Sequence, residues 1–189
     1  MGLRQFLLVT HRWLGLASSL LLTIAGLTGA LLVWPDAIPA RPFIEGLHQE
    51  LGVGKTGWYL VLLATVAGIL LQAGGLVLWW KTKRLRIRRD AGLWRWSYDV
   101  HGTVGVLAFV VMLALGASGL GRVAVRQVPD TVLSEHMKGT ISQWHATRGF
   151  SWPAKVLFAA GSLGFAVQGM TGVIVWWKPR RTASDAGAR

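Results

Sequence analysis

Four stretches without a single charged side chain dominate the sequence: residues 13–35, 56–80, 100–121 and 156–177. Each reaches the roughly 20 residues that a helix needs to cross about 30 Å of hydrocarbon. Inside a bilayer every backbone amide must find its partner within the protein, so blocks of this kind fold as helices. The sequence therefore predicts an all-α integral membrane protein, a bundle of four transmembrane helices. It reads as a single membrane domain over residues 1–189, with spans at about 13–34, 57–80, 100–121 and 153–177. The first block exceeds the ~7–15 apolar residues of a signal peptide, and no small-x-small step precedes Trp34, so it is expected to stay as a span. The chain has no cysteine, which excludes disulfides, thiolate metal sites and haem attached through C-x-x-C-H.

The net charge of +12 sorts by connection. Arg4 and Arg12 precede the first span, Lys81 to Arg95 fill the link between spans two and three, and Lys178, Arg180, Arg181 and Arg189 follow span four. Together these hold 13 of the 20 basic residues, while the opposite connections carry the other seven beside five of the eight acidic ones. The positive-inside rule then puts both termini in the cytoplasm. On this reading "KTKRLRIRR" is a topology determinant in contact with anionic membrane lipid. No folded module surrounds it, so nucleic acid is not an expected partner.

The spans repeat. Span two ends "GGLVLWWKTKR" and span four ends "TGVIVWWKPRR"; setting Lys81 on Lys178 places Gly75 on Gly172 and the Trp79-Trp80 pair on Trp176-Trp177. His11 lies 18 residues before Gly29 in "LTG", and His101 lies 18 before Gly119 in "ASG". Pro35-Asp36 and Pro129-Asp130 follow these two spans. The repeats, residues 1–84 and 97–181, predict two parallel duplicated hairpins related by an axis along the membrane normal. Short amphipathic helices, "RPFIEGLHQEL" and "TVLSEHMKGTISQWHAT", are expected on the outer side.

The same registers set His48 on His145, and four of the five histidines share the pattern His-x-x-x-Gly: His11/Gly15, His48/Gly52, His101/Gly105 and His145/Gly149. Each half then contributes one imidazole to an inner couple, His11 with His101, and one to an outer couple, His48 with His145. Ionisable groups at membrane depth are costly and mark function. A haem iron takes two axial ligands from opposite faces, which a pseudo-two-fold pair supplies, and helical bundles host such groups between facing helices. Residues i and i+4 share a helix face, so each glycine would clear room for a macrocycle. The expectation is two b-type haems with these four histidines as axial ligands, and with Arg12 and Arg148 as charge-assisted partners of the propionates. With both axial positions filled, such haems carry electrons. Trp13, Trp79, Trp80, Trp176 and Trp177 read as interfacial anchors. Gly29 and Gly119 read as helix-packing positions, and Gln72 and Gln168 as hydrogen-bonded links between helices. His136 reads as a surface residue, with replacement of His48 as outer ligand the competing assignment.

"HRWLGL", "LTGALLVW", "YDVHGTVG" and "WHATRG…GMTGVIVWW" resemble the PepSY-associated transmembrane helix family, which includes iron-regulated inner-membrane proteins and ferrisiderophore reductases. The resemblance implies a membrane haem protein with ferric reductase activity that passes electrons to periplasmic ferric-siderophore complexes. It carries the family's span histidines onto His11, His101 and His145, whereas His48 rests on the internal repeat. Longer relatives insert an extracytoplasmic domain between spans one and two, where this chain has only about twenty residues. Two other readings stand beside this one: the cytochrome b subunit of a larger membrane oxidoreductase, and a haem-free assembly or regulatory protein. No nicotinamide or flavin fingerprint occurs, so the expected donor is a quinol or another protein. No catalytic residue is singled out.

Overall fold

The apolar blocks become helices in the computed structural model, which describes residues 1–34, 36, 38–126, 129, 132 and 134–177. Among these residues there are seven helices and no strand. They are α1 (Leu3–Leu32), α2 (Arg41–Glu50), α3 (Lys55–Trp80), α4 (Leu93–Leu107), α5 (Phe109–Arg126), α6 (Glu135–His145) and α7 (Trp152–Trp176). Three of them, α1, α3 and α7, are long and apolar enough to cross a membrane, and α4 with α5 makes a fourth if that bent pair is one span. Several apolar helices of this kind make a multi-pass membrane protein. Pro35, Asp130 and the basic residues after Trp177 lie outside the described residues.

Helix α1 packs along α7 and α3, and α5 closes the ring against α3 and α7. The α1–α7 seam is built from small residues. A Cβ on Gly26 would stand 2.6 Å from the Ser162 carbonyl oxygen, and one on Gly169 would stand 2.6 Å from that of Ser19. Without a hydrophobic force between helices in lipid, such close backbone approach and van der Waals contact hold them together. Ser18, Ser19, Thr23 and Thr28 on α1 and Thr171 on α7 donate to carbonyls of their own helices, Ser18 to Leu14 at 2.7 Å. Large apolar side chains point outward instead, Leu20 at 68% and Val110 at 72% exposure among them. That inversion of a soluble core suits a lipid surround.

The third span departs from expectation. The helix anticipated over 100–121 is broken at Ala108, where α4 and α5 meet at 67°. No proline stands there. The Gln168 side-chain amide of α7 donates to the His101 carbonyl at 2.8 Å, the acceptor that Gly105 N–H takes in a regular helix. Gly105 has no side chain to keep Gln168 away, since a Cβ there would lie 3.2 Å from its Nε2. The bend lies about two turns beyond His101, past a helix that stays regular through Leu107, with the Ala108 N–H on the Val104 carbonyl at 2.9 Å. The matching neighbour of Gly15 on α1 is Leu71, which has nothing to donate.

Just before His101, Asp99 is an acidic residue that the pattern of spans did not single out. Its side chain is 5% exposed and is gripped from two sides, by Arg88 Nε at 3.0 Å and by Arg95 one turn earlier on α4 at 3.0 Å. The Arg88 backbone N–H also donates to it at 3.3 Å. The clamp ties the basic α3–α4 connection onto α4. Removing one member of a buried ion pair strands its partners, here by about 1–3 kcal/mol because both arginines are about a third exposed. Asp99→Asn should therefore free the connection, read as several-fold faster tryptic cleavage between residues 81 and 92 with the helices intact.

A candidate paired-histidine site

The two outer histidines are aimed by the way their helices end. Pro42 sits in the first turn of α2, where its missing N–H is no loss. The helix closes two residues after His48 through left-handed Leu51 and Gly52, with the Gly52 N–H on the Gly46 carbonyl. Helix α6 starts on Ser134, whose hydroxyl caps Met137 N–H, and ends at His145. It then turns back through left-handed Thr147 and Gly149. Both turns bring the imidazole round to face the bundle, His48 onto α1 and His145 onto α5.

Two couples result. The ring centroids of His11 and His101 are 6.1 Å apart with planes at 90°, and those of His48 and His145 are 6.2 Å apart with planes at 28°. All four rings are part-buried, while His136 is exposed on α6. Each imidazole lays its Cε1 edge on a glycine of a neighbouring helix. A Cβ would stand 3.2 Å from His11 at Gly75, 3.4 Å from His101 at Gly172, 3.2 Å from His48 at Gly29 and 3.1 Å from His145 at Gly119.

The glycines of the His-x-x-x-Gly pattern do other work. Gly52 and Gly149 take positive φ at the helix ends, Gly105 admits Gln168, and Gly15 faces Leu71. The cradle glycines at 29 and 119, read from sequence as packing positions, are the ones beneath the outer rings. The residue before three of the four cradle glycines carries a hydroxyl bound to the ring's Nδ1: Thr28 to His48 at 3.0 Å, Ser118 to His145 at 3.0 Å and Thr171 to His101 at 3.1 Å. The signal was a Ser/Thr-Gly pair, visible in "LTG", "ASG" and "MTG" but without meaning until its partner was known.

One assignment of protons satisfies these hydroxyls and rings together. Each has a single proton and already donates it one turn back, Thr28 to Ile24, Ser118 to Leu115 and Thr171 to Val167. In that assignment each accepts from Nδ1–H, which leaves Nε2 of His48, His145 and His101 with a free lone pair. His11 differs: its Nδ1 is buried with no hydrogen-bond partner among the described residues.

Around His48 and His145 lies an open cleft of about 1520 Å³, its mouth included, lined by apolar side chains such as Leu22, Leu62, Leu115 and Phe165. Arg41, Arg122 and Arg148 add cations at the same cleft; of these, only Arg148 stood out in the sequence. Burial pulls His48 below its usual pKa, the Ala25 carbonyl opposing and the Arg122 charge reinforcing. Burial also takes His145 down to about 4, helped by His48 and Arg122. Both rings are thus neutral near pH 7, the form that binds a metal. At the other couple Arg12 lies over Trp13 and Trp176, 6.0 and 5.8 Å from their ring centres, and the Trp94 indole donates to the Val175 carbonyl.

Residues 36–128, from the start of the α1–α2 connection through the broken span, match the family model described as PepSY-associated TM region. Over that stretch, just under half of its length, the chain is similar to the family. The PepSY-associated match contains His48 and His101, while His11 and His145 lie outside it. An uncharacterized protein of Pseudomonas aeruginosa is 36% identical over 115 residues, covering 53% of this chain and 29% of the relative. The match thus spans under a third of the length of that curated relative. No solved structure matches the chain.

Proposed function

We propose that this PepSY-associated chain is a transmembrane electron carrier that holds two b-type haems, one between His11 and His101 and one between His48 and His145. The spacing of the couples carries the reading. Two metal–imidazole bonds of ~2.0 Å, with ~1.1 Å from each ligating nitrogen to its ring centre, separate axial rings by about 6.2 Å. The observed separations are 6.1 and 6.2 Å. Among the described residues no three His, Cys, Asp or Glu side chains gather to hold a bare ion. A porphyrin brings four nitrogens of its own and asks the protein for only two.

When bound, the haem accepts and returns one electron at each site. The chain's own residues do the rest. Thr28, Ser118 and Thr171 hold Nδ1–H and present Nε2, a support that orients the ring and raises its basicity. The cradle glycines let the rings lie close to the helices. At the outer cleft Arg41, Arg122 and Arg148 supply charge-assisted partners for carboxylates, and the apolar lining keeps water away. Along α1 the two couples stand ~26 Å apart, at ~1.5 Å per residue, so charge entering at one face leaves at the other.

In this reading α1 with α3, and α4–α5 with α7, are the two duplicated hairpins of a four-span bundle in the bacterial inner membrane. The termini and the basic α3–α4 connection face the cytoplasm, and α2 and α6 lie on the periplasmic surface. Electrons pass from a quinol or protein donor to a periplasmic acceptor of the ferric-siderophore class. The decisive experiment is iron-porphyrin content of protein purified after expression with ample haem. About two non-covalent haems per chain, with b-type bands that sharpen on reduction, are expected. Haem-free protein would sink the reading.

A further inference from the structure

The four histidines are not equivalently supported, and the difference traces to one residue. Setting Lys81 on Lys178 places Gly74 opposite Thr171 and Gly75 opposite Gly172. The glycine contacts match closely, with His11 Cε1 and Nδ1 at 3.2 and 3.8 Å from a Cβ on Gly75, and those of His101 at 3.4 and 3.8 Å from one on Gly172. His101 Nδ1 then has the Thr171 hydroxyl. His11 has Gly74 at that place and an orphaned, buried Nδ1.

We propose that His11 is the exchangeable axial ligand of the inner couple, so that this site, unlike the outer one, admits a small neutral diatomic ligand in its place. The proposal rests on the di-haem reading. A histidine whose Nδ1–H is hydrogen-bonded is held in one tautomer and orientation and is the more basic ligand, and losing such an outer partner typically weakens metal binding by 10–100-fold. His48, His145 and His101 have that partner. In the exchange the bond from His11 Nε2 breaks and the incoming ligand's lone pair takes its position, with no change in electron count. His101 stays as the opposite ligand, kept in place by Thr171 and by Gln168 on its carbonyl.

Carbon monoxide added to the dithionite-reduced full chain in detergent tests this, with haem content measured on the same samples. Wild-type protein should bind about one carbon monoxide per two haems. Gly74→Thr and Gly74→Ser restore a hydroxyl beside His11, and a Cβ at this position meets nothing within 4 Å, so both should fold. They should lower carbon monoxide affinity at least about tenfold, while Gly74→Ala, which adds a side chain without a hydroxyl, should bind as the wild type does. Two haems per chain with no carbon monoxide bound, or equal affinity in Gly74→Thr, Gly74→Ser and wild type, overturns the proposal and leaves the di-haem reading standing. Protein without haem overturns that reading, and the proposal with it.

Discussion

His101→Ala should lower the haem content from about two per chain to about one, with the remaining spectrum that of the outer site. The His101 ring is one half of the couple at 6.1 Å, and no other histidine stands within that couple to replace it. The outer couple hangs from Thr28 and Ser118, ~26 Å further along the bundle at ~1.5 Å per residue. At that distance substitutions act independently. His145→Ala should give the complementary result, keeping the inner haem. His136→Ala should change neither, because that ring is exposed on α6. Loss of all haem on His136→Ala would overturn the ligand assignment, and retention of both haems in His101→Ala would remove the inner site from the scheme. Pyridine haemochrome titration against protein concentration reads all three variants.

Gly26→Ala should be strongly destabilising, and it should take haem with it. The new Cβ would meet the Ser162 carbonyl oxygen at 2.6 Å and the Ala166 amide nitrogen at 2.7 Å. These are backbone atoms of α7 and cannot rotate aside. Overpacking of this sort costs about 1–3 kcal/mol or more, and the relief available is to push α1 off α7. Thr28 and Gly29 follow within one turn, so the shift carries away the hydroxyl and the cradle of His48. Thermal unfolding in detergent should show a markedly lower midpoint than wild type, with outer haem lost before global unfolding. Gly46→Ala is the control: a Cβ there touches nothing within 4 Å, and its midpoint should stay put. An unchanged midpoint in Gly26→Ala would mean that the α1–α7 seam is looser than drawn.

Helix identity was legible in the sequence because membrane depth leaves the backbone no alternative once twenty apolar residues run together. The ends of α2 and α6 were legible too, in "HQELG" and "HATRG", since a glycine past a helical stretch is the cheapest left-handed stop. Those same glycines were read as clearance for a macrocycle, whereas the structure gives them turns. The break in the third span was hidden, because no proline or local propensity announces it at Ala108. Asp99 was passed over for a similar reason: its worth comes from Arg88, brought back by a connection whose path the pattern of charges does not specify.

Apolar length, charge asymmetry and the internal repeat by themselves determine that this chain is helical, that it crosses a membrane several times and that its histidines recur in register. Period and composition act locally, so they survive without knowledge of the packing. Only the tertiary structure decides which glycine lies under which ring, which hydroxyl takes the Nδ1 proton and which histidine goes without. Those are contacts of about 3 Å between residues 20 to 70 positions apart, set by how α2 meets α1 and α4 meets α7, and no one-dimensional pattern encodes an approach that close.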